Sequence, residues 1–312
     1  ALRVTGSDSV VLVPTSTYTE GVAGTWQRIN PIFATSNEVD ADISRLVFAG
    51  LLKDGPEQDV RPDLADLPEV SGDGLSYTFR LKDGLTWHDG EPLTARDVAF
   101  TIHRIQDASF RGDEALADSW EGVGVDTPDD RTVVFRLQQP SAPFLARNAT
   151  IGILPEHLLG QLTAQQLYDA PFNAAPVGSG PYRVESINDT EAVLTAFGDY
   201  HEGRPKIDRF RVRFYDDYPS ALRAASGGEI DGLLLREVLS EAQSTEVAKM
   251  HGMEATPLER TAHIILYLNN DKINLSDSRV RKAISIAMDR RAIVAATFFG
   301  GATASSSAIP PG

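Results

Sequence analysis

The sequence of 312 residues contains no cysteine. That absence excludes disulfide bridges, thiolate zinc sites, iron–sulfur clusters and cysteine nucleophiles. It leaves the compartment open, although an oxidising space outside the cytoplasm suits a chain without a stray thiol. Long apolar runs are missing too: none approaches the roughly 18–20 residues that a bilayer-crossing helix needs. Positive charge is scarce. Lys and Arg total 29 against 44 Asp and Glu, a formal net charge of −15. This balance disfavours phosphate-backbone recognition, which needs clustered cations, and docking on an anionic membrane surface. The opening residues Ala1-Leu2-Arg3-Val4 show no basic stretch followed by an apolar one. Either the protein is not exported, or its targeting segment lies outside this sequence.

Motifs of catalysis are also wanting. His88, His103, His157, His201, His251 and His263 form neither H-E-x-x-H nor another metal-ligand spacing. Pro176-Val177-Gly178-Ser179-Gly180 lacks the first glycine of a nucleophile elbow. It reads as a turn into a strand, its glycines supplying positive φ. Gly122-Val123-Gly124 lacks the third glycine of a dinucleotide loop, and no Walker A string occurs. Neither a metal nor an organic cofactor is expected. Carboxylates are abundant, but no pair stands out as a general acid and base, so a two-carboxylate hydrolase is an alternative without a motif. Asp40-Ala41-Asp42 reads as helix-entry charge and Asp216-Asp217 as loop charge. Asn148-Ala149-Thr150, Asn188-Asp189-Thr190 and Asn274-Leu275-Ser276 match the glycosylation sequon, a string too common by chance to decide anything.

What is present is an ordinary globular composition, 42% hydrophobic and 23% charged, which argues against disorder of the whole chain. The length suits about two domains. Alternation of apolar and polar residues predicts strands over Tyr77–Lys82, Thr132–Leu137 and Arg209–Phe214, and a hairpin of Tyr182–Val184 with Ala192–Phe197 around Asn188-Asp189. The arginines at 209, 211 and 213 share one face, which reads as a solvated sheet surface. Thr94, three residues before Asp97, opens a helix with Val98, Ile102 and Ile105 on its apolar stripe. Asp42–Leu52 is expected to be a helix ended by Lys53-Asp54-Gly55. Another is expected over Arg279–Ala296, with Val280, Ile284, Ala287 and Met288 as its apolar face. The stretch Gly300–Gly312, rich in Gly, Ala, Ser and Pro, offers little to cover that face, so the chain is expected to be a piece of a longer protein.

Several ordered segments resemble one family. The run Tyr77-Thr78-Phe79-Arg80-Leu81-Lys82-Asp83-Gly84-Leu85-Thr86-Trp87-His88-Asp89-Gly90-Glu91-Pro92-Leu93-Thr94-Ala95-Arg96-Asp97-Val98 is similar to the signature of the peptide/nickel-binding (family 5) extracellular solute-binding proteins of ABC transporters. In the family's order come Ile29-Asn30-Pro31, Ile43–Leu52, Val177-Gly178-Ser179-Gly180-Pro181-Tyr182, Gly228-Glu229-Ile230-Asp231, Leu268-Asn269-Asn270 and Arg279–Arg290.

The resemblance implies an α/β periplasmic-binding-protein-like fold of type II: lobe I with an inserted outer subdomain, plus the beginning of lobe II. Residues 1–41 and 156–260 are expected to form the lobe I core and 42–155 the outer subdomain. Residues 261–312 would hold the hinge crossing and a truncated start of lobe II. It further implies a non-enzymatic, extracytoplasmic protein, periplasmic or a cell-surface lipoprotein. Such a protein hands a solute, an oligopeptide first of all, to permease subunits, and its lobes close on the ligand by hinge motion. A nickel chelate or an oligosaccharide is the alternative ligand. A regulator carrying a DNA-binding domain is disfavoured by the acidic composition. The ammonium of a peptide usually pairs with an acid of lobe II in this family, so this chain is expected to bind weakly and to have a tendency to self-associate. On lobe I, candidate ligand contacts are Glu20, Gly21, Val22, Trp26 and Asn30 after the opening strand, and Leu235 and Arg236 at another strand end. Tyr267 and Asn269 fall at the hinge crossing. Trp87 and His88 are expected to determine the fold rather than touch ligand.

Overall fold

The computed structural model describes residues 16–55, 59–236, 241–250, 265–298 and 302–305. Ala1–Val4, His251, His263 and most of the Gly300–Gly312 stretch lie outside the described residues.

Along the chain, β1 (Thr17–Ala23) precedes α1 (Glu38–Val47) and the strands β2 (Leu52–Asp54), β3 (Val60–Pro62), β4 (Glu69–Val70) and β5 (Ser76–Arg80). Then come α2 (Ala95–Gln106), α3 (Glu114–Trp120), β6 (Gly124–Asp129) and β7 (Thr132–Arg136). The short helices α4 (Phe144–Asn148), α5 (Glu156–Leu159) and α6 (Ala164–Tyr168) lead to β8 (Tyr182–Ile187), β9 (Glu191–Ala196) and β10 (Arg209–Tyr215). The remaining elements are α7 (Tyr218–Ser226), β11 (Gly232–Leu233), α8 (Glu241–Val247), α9 (Ser278–Ala287) and α10 (Arg290–Phe298).

Strands β1 and β8–β11 form one sheet in the order β11-β1-β10-β9-β8. Strand β1 runs parallel to both of its neighbours, while β8, β9 and β10 are antiparallel. The chain between β1 and β8 builds a second sheet, β4-β5-β7-β6, and the ribbon β2–β3. Period-2 alternation explains the second sheet. Tyr77 and Phe79 of β5 turn inward and pair with Phe135 and Val133 of β7. Helix α2 starts where Asp97 accepts the Thr94 N–H at 2.8 Å, and it buries Val98, Ile102 and Ile105. One cluster of buried apolar side chains runs from Val22 and Val212 of the larger sheet to Phe79 and Phe135 of the smaller one, with Trp87 before α2 and Trp120 of α3 packed into it. No described helix is long and apolar enough to cross a membrane.

Three local expectations are corrected. The first helix spans Glu38–Val47 rather than 42–52, because Asn37 caps it by accepting from Val39 and Asp40. After Phe48 the chain is extended, and Ala49 and Leu52 bond to Ile153 and Ala149. An apolar run such as Val47–Leu52 does not by itself distinguish helix from strand. The helix expected over 279–296 is two helices, because Met288 is extended and Asp289 accepts from Ala292 to start α10. Asp40 does lie in the first turn of α1, as expected of a helix-entry charge. It is buried and accepts the N–H groups of Gln27 and Arg28 at 2.7 and 2.9 Å. Finally, Gly178 and Gly180 are not positive-φ positions. A side chain at either would run into the backbone of Leu46 and Val47.

His88 clamps that glycine turn. Its N–H donates to Gly178 O at 2.8 Å, its Nδ1 accepts from Gly178 N at 3.1 Å, and its Nε2 lies 3.0 Å from Gly180 O. An imidazole that accepts through Nδ1 and donates through Nε2 is neutral, and burial pushes its pKa down to about 4.

Candidate functional site

The C-terminal ends of parallel strands in open α/β sheets face a crevice, which directs attention to β1 and β11. Register sets Glu20 beside Gly232 and Gly21 beside Leu233. Beyond β11 the chain continues as Leu234-Leu235-Arg236, all half-buried. A polar group converges here from four elements. The Tyr18 hydroxyl donates to Glu20 Oε2 at 2.5 Å, and Glu20 also accepts from the Leu234 N–H. Arg236 Nη2 lies 2.5 Å from Asp42 Oδ2 and its Nη1 3.3 Å from Glu38 Oε2, both on α1. The Arg236 N–H donates to the Tyr218 hydroxyl of α7 at 3.2 Å. Gly232 is required by this packing, since a side chain there would collide with the Tyr18 hydroxyl.

The cluster is mostly acidic, with three carboxylates to one guanidinium. Burial pushes the Glu20 pKa up, and the nearby Asp42 charge adds to it, against the bonds from Tyr18 and Leu234. Tyr18 is pushed up by burial and by its bond to Glu20. Burial works against the Arg236 charge, but the hydrogen bond and charge of Asp42 and the charge of Glu38 outweigh it. Glu20 is held by neutral donors, a state in which an incoming cation gains most by pairing with it.

The structure brings Glu20, Leu235 and Arg236 together, and separates them from the other candidates. Val22 is buried in the core. The space beside Gly21 is filled by Ile230 and Tyr215, on the face away from Glu20. Trp26 is half-buried against the core, its indole N–H donating to Asn188 O at 3.0 Å. Asn30 is fully buried; it donates to Asn173 Oδ1 at 2.9 Å and accepts from Ile32 N–H at 3.2 Å. Both side chains spend polar groups on the chain's own interior. Tyr267 is 83% exposed, and Asn269 accepts from Asp271 in a local turn.

Tyr18, Glu38, Asp42 and Tyr218 are not among the ligand contacts expected from the sequence. The signals were there: Tyr18 and Glu20 share a strand face at spacing two, and Glu38 and Asp42 share a helix face at spacing four. The arginine row of β10 is paired rather than open, Arg209 with Glu185 at 2.8 Å, Arg211 with Glu191 at 2.5 Å and Arg213 with Glu229 at 3.3 Å.

Comparison with known proteins adds the following. Residues 59–312 match the bacterial extracellular solute-binding proteins, family 5, middle region. A putative ABC transporter peptide-binding protein of Brucella ovis is 32% identical over 257 residues, covering 81% of this chain and 47% of its own. Among solved structures, the oligopeptide-binding protein AppA of Bacillus subtilis in complex with a nonapeptide superposes with a TM-score of 0.74 at 26% identity, covering 92% of this chain and 57% of that one. NikZ of Campylobacter jejuni in complex with Ni(L-His) gives the same TM-score of 0.74 and 26% identity, over 91% and 55% of the two chains. The chain spans about half the length of the curated relatives it matches.

Proposed function

Because the chain belongs to the family 5 bacterial extracellular solute-binding proteins, we propose that it presents one wall of a ligand cleft, and that the ligand is an oligopeptide delivered to an ABC importer. Its homologues are solute-binding proteins of ABC transporters, not enzymes, and the family is extracytoplasmic. The peptide reading draws on the Brucella ovis relative and on AppA with its nonapeptide. The observation that carries it here is the Glu20 carboxylate of the parallel strand β1, held among the described residues by the Tyr18 hydroxyl and the Leu234 N–H. An extended peptide laid along Leu234–Arg236 finds backbone partners there, and a cationic group of that peptide finds Glu20. Hinge closure of a second wall over the peptide completes the reading: ligand that touches both walls stabilises the closed state.

Binding by this chain is expected to be weak, so amide NMR is the suitable measurement. Tri-alanine is expected to shift the resonances of Glu20, Leu234, Leu235 and Arg236. N-acetyl-tri-alanine should do so at least tenfold more weakly, and Glu20→Gln should remove the difference. Shifts that avoid this edge, or equal titration by both peptides, would overturn the reading. Preferential binding of Ni(L-His) would replace peptide with a nickel chelate.

A further inference from the structure

A second cluster lies where the β2–β3 ribbon meets the loop between β9 and β10. Asp63 follows β3 directly, and His201 and Glu202 stand in that loop. His201 Nε2 is 2.9 Å from Asp63 Oδ1, and both side chains are only 7% exposed. With a Glu202 carboxylate oxygen, these donor atoms all lie within 4.8 Å of one another. Lys53 of β2 holds Glu202 at 2.5 Å. Burial opposes ionisation of Glu202, but Lys53 keeps its carboxyl below the ordinary value. The Tyr200 hydroxyl lies against both carboxylates, and burial together with their charges pushes its pKa up.

We propose that Asp63, His201 and Glu202 form a binding site for a divalent transition-metal ion of the zinc class. One imidazole nitrogen with two carboxylates is a donor set for such ions, whereas Ca²⁺ and Mg²⁺ prefer oxygen alone. This distinguishes the cluster from a patch of acids, as does its assembly from segments 138 residues apart. Ligands about 2.0–2.2 Å from zinc stand roughly 3–3.6 Å from one another. The His201–Asp63 separation of 2.9 Å is close to that already. Glu202, the partly exposed ligand, is the one free to adjust inward. Water completes the coordination. Tyr200 plays the outer role that such sites require, steadying the carboxylates. Lys53 is the resident competitor: its ammonium occupies the Glu202 oxygen and swings to solvent when the ion enters. The ion would tie the ribbon to the loop of the larger sheet.

The test is isothermal titration of the EDTA-treated chain with zinc chloride near neutral pH. One equivalent is expected to bind at micromolar concentrations, and the thermal midpoint should rise with zinc. His201→Ala and Glu202→Gln should each weaken binding at least tenfold. Glu202→Gln alters a partly exposed side chain, so it keeps the test valid if His201→Ala fails to fold. Lys53→Ala should tighten binding several-fold, an effect that ions bound elsewhere would not show. Absence of binding up to about 1 mM zinc, or binding indifferent to His201→Ala and Glu202→Gln, would overturn the proposal.

Discussion

Helices α2 and α9 carry the same kind of apolar stripe and meet opposite fates. In α2, Val98, Phe100, Ile102 and Ile105 are buried against β6, β7 and α5. In α9 no residue is buried: Val280 is 40% exposed and Ile286 74%. α10 likewise buries nothing, and Ile293 remains half exposed. Burial of a large apolar side chain is worth about 1.5–3 kcal/mol, so α2 is fixed by its neighbours while α9, with no buried residue, draws on its cap, its backbone bonds and polar side-chain bonds such as that of Arg281 to Leu275 O. Periodicity in a sequence states that a face favours burial. It does not state what covers the face.

The comparison is broken most forcefully in the core. Phe135 is fully buried, with the rings of Phe79, Trp120 and Phe144 at 5.7, 5.2 and 5.8 Å. Phe135→Ala should cost about 3–5 kcal/mol in urea unfolding. A loss under about 1 kcal/mol would mean that the two sheets do not share one core. The next largest effect is a pH dependence. The folded pKa of His88 is about 4, below the ordinary 6.5. In that window the unfolded chain binds more protons, so His88 contributes stability above pH 6.5 that is lost as pH falls toward 4. The integrated loss is of the order of 3 kcal/mol. Asp40 and Asp97, raised by burial, act in the opposite sense, because their folded forms hold protons longer as pH rises. The measurement is therefore the wild type minus His88→Gln difference in unfolding free energy. It should shrink from neutral pH toward the lower end, and a difference constant with pH would sink the assignment.

Next in size is the cap of α1. Asn37→Ala removes the acceptor for the Val39 and Asp40 N–H groups and should cost about 1 kcal/mol. This position also marks where reading the sequence reached its limit. Strands β5, β7 and β10 were legible because one face of each alternates cleanly, and α2 because Thr94 and Asp97 mark its start. The start of α1 was misplaced by four residues because Asn37 looks like any loop polar residue until its side chain is seen on the helix N–H groups. Glu20 and Arg236 were among the candidates read from the sequence; Glu20 lies midway along β1 and Arg236 three residues beyond β11. The other half of the site was not legible, because Arg236 meets Asp42 across 194 residues, and no local pattern encodes that pairing. Gly178 and Gly180 were recognised as necessary for the wrong reason. Close packing on the Leu46–Val47 backbone is a tertiary fact, whereas positive φ is a local one.

The smallest expected effect tests the other side of the comparison. Ile286 is among the larger apolar residues of α9, yet it stands in solvent. Ile286→Ser should leave the urea midpoint of the two-sheet body within about 0.5 kcal/mol of wild type, as surface substitutions do. The same exchange at Ile102 of α2, which is 1% exposed, removes buried apolar area and should cost several kcal/mol. The two substitutions use the same residue types in helices of similar amphipathic pattern, so propensity differences cancel and only burial separates them. If Ile286→Ser destabilises by more than about 1 kcal/mol, α9 is packed against something in solution, and the contrast between the two helices fails. If the midpoint is unmoved while sedimentation shows less self-association than wild type, the exposed stripe is an adhesive surface rather than part of the folded core.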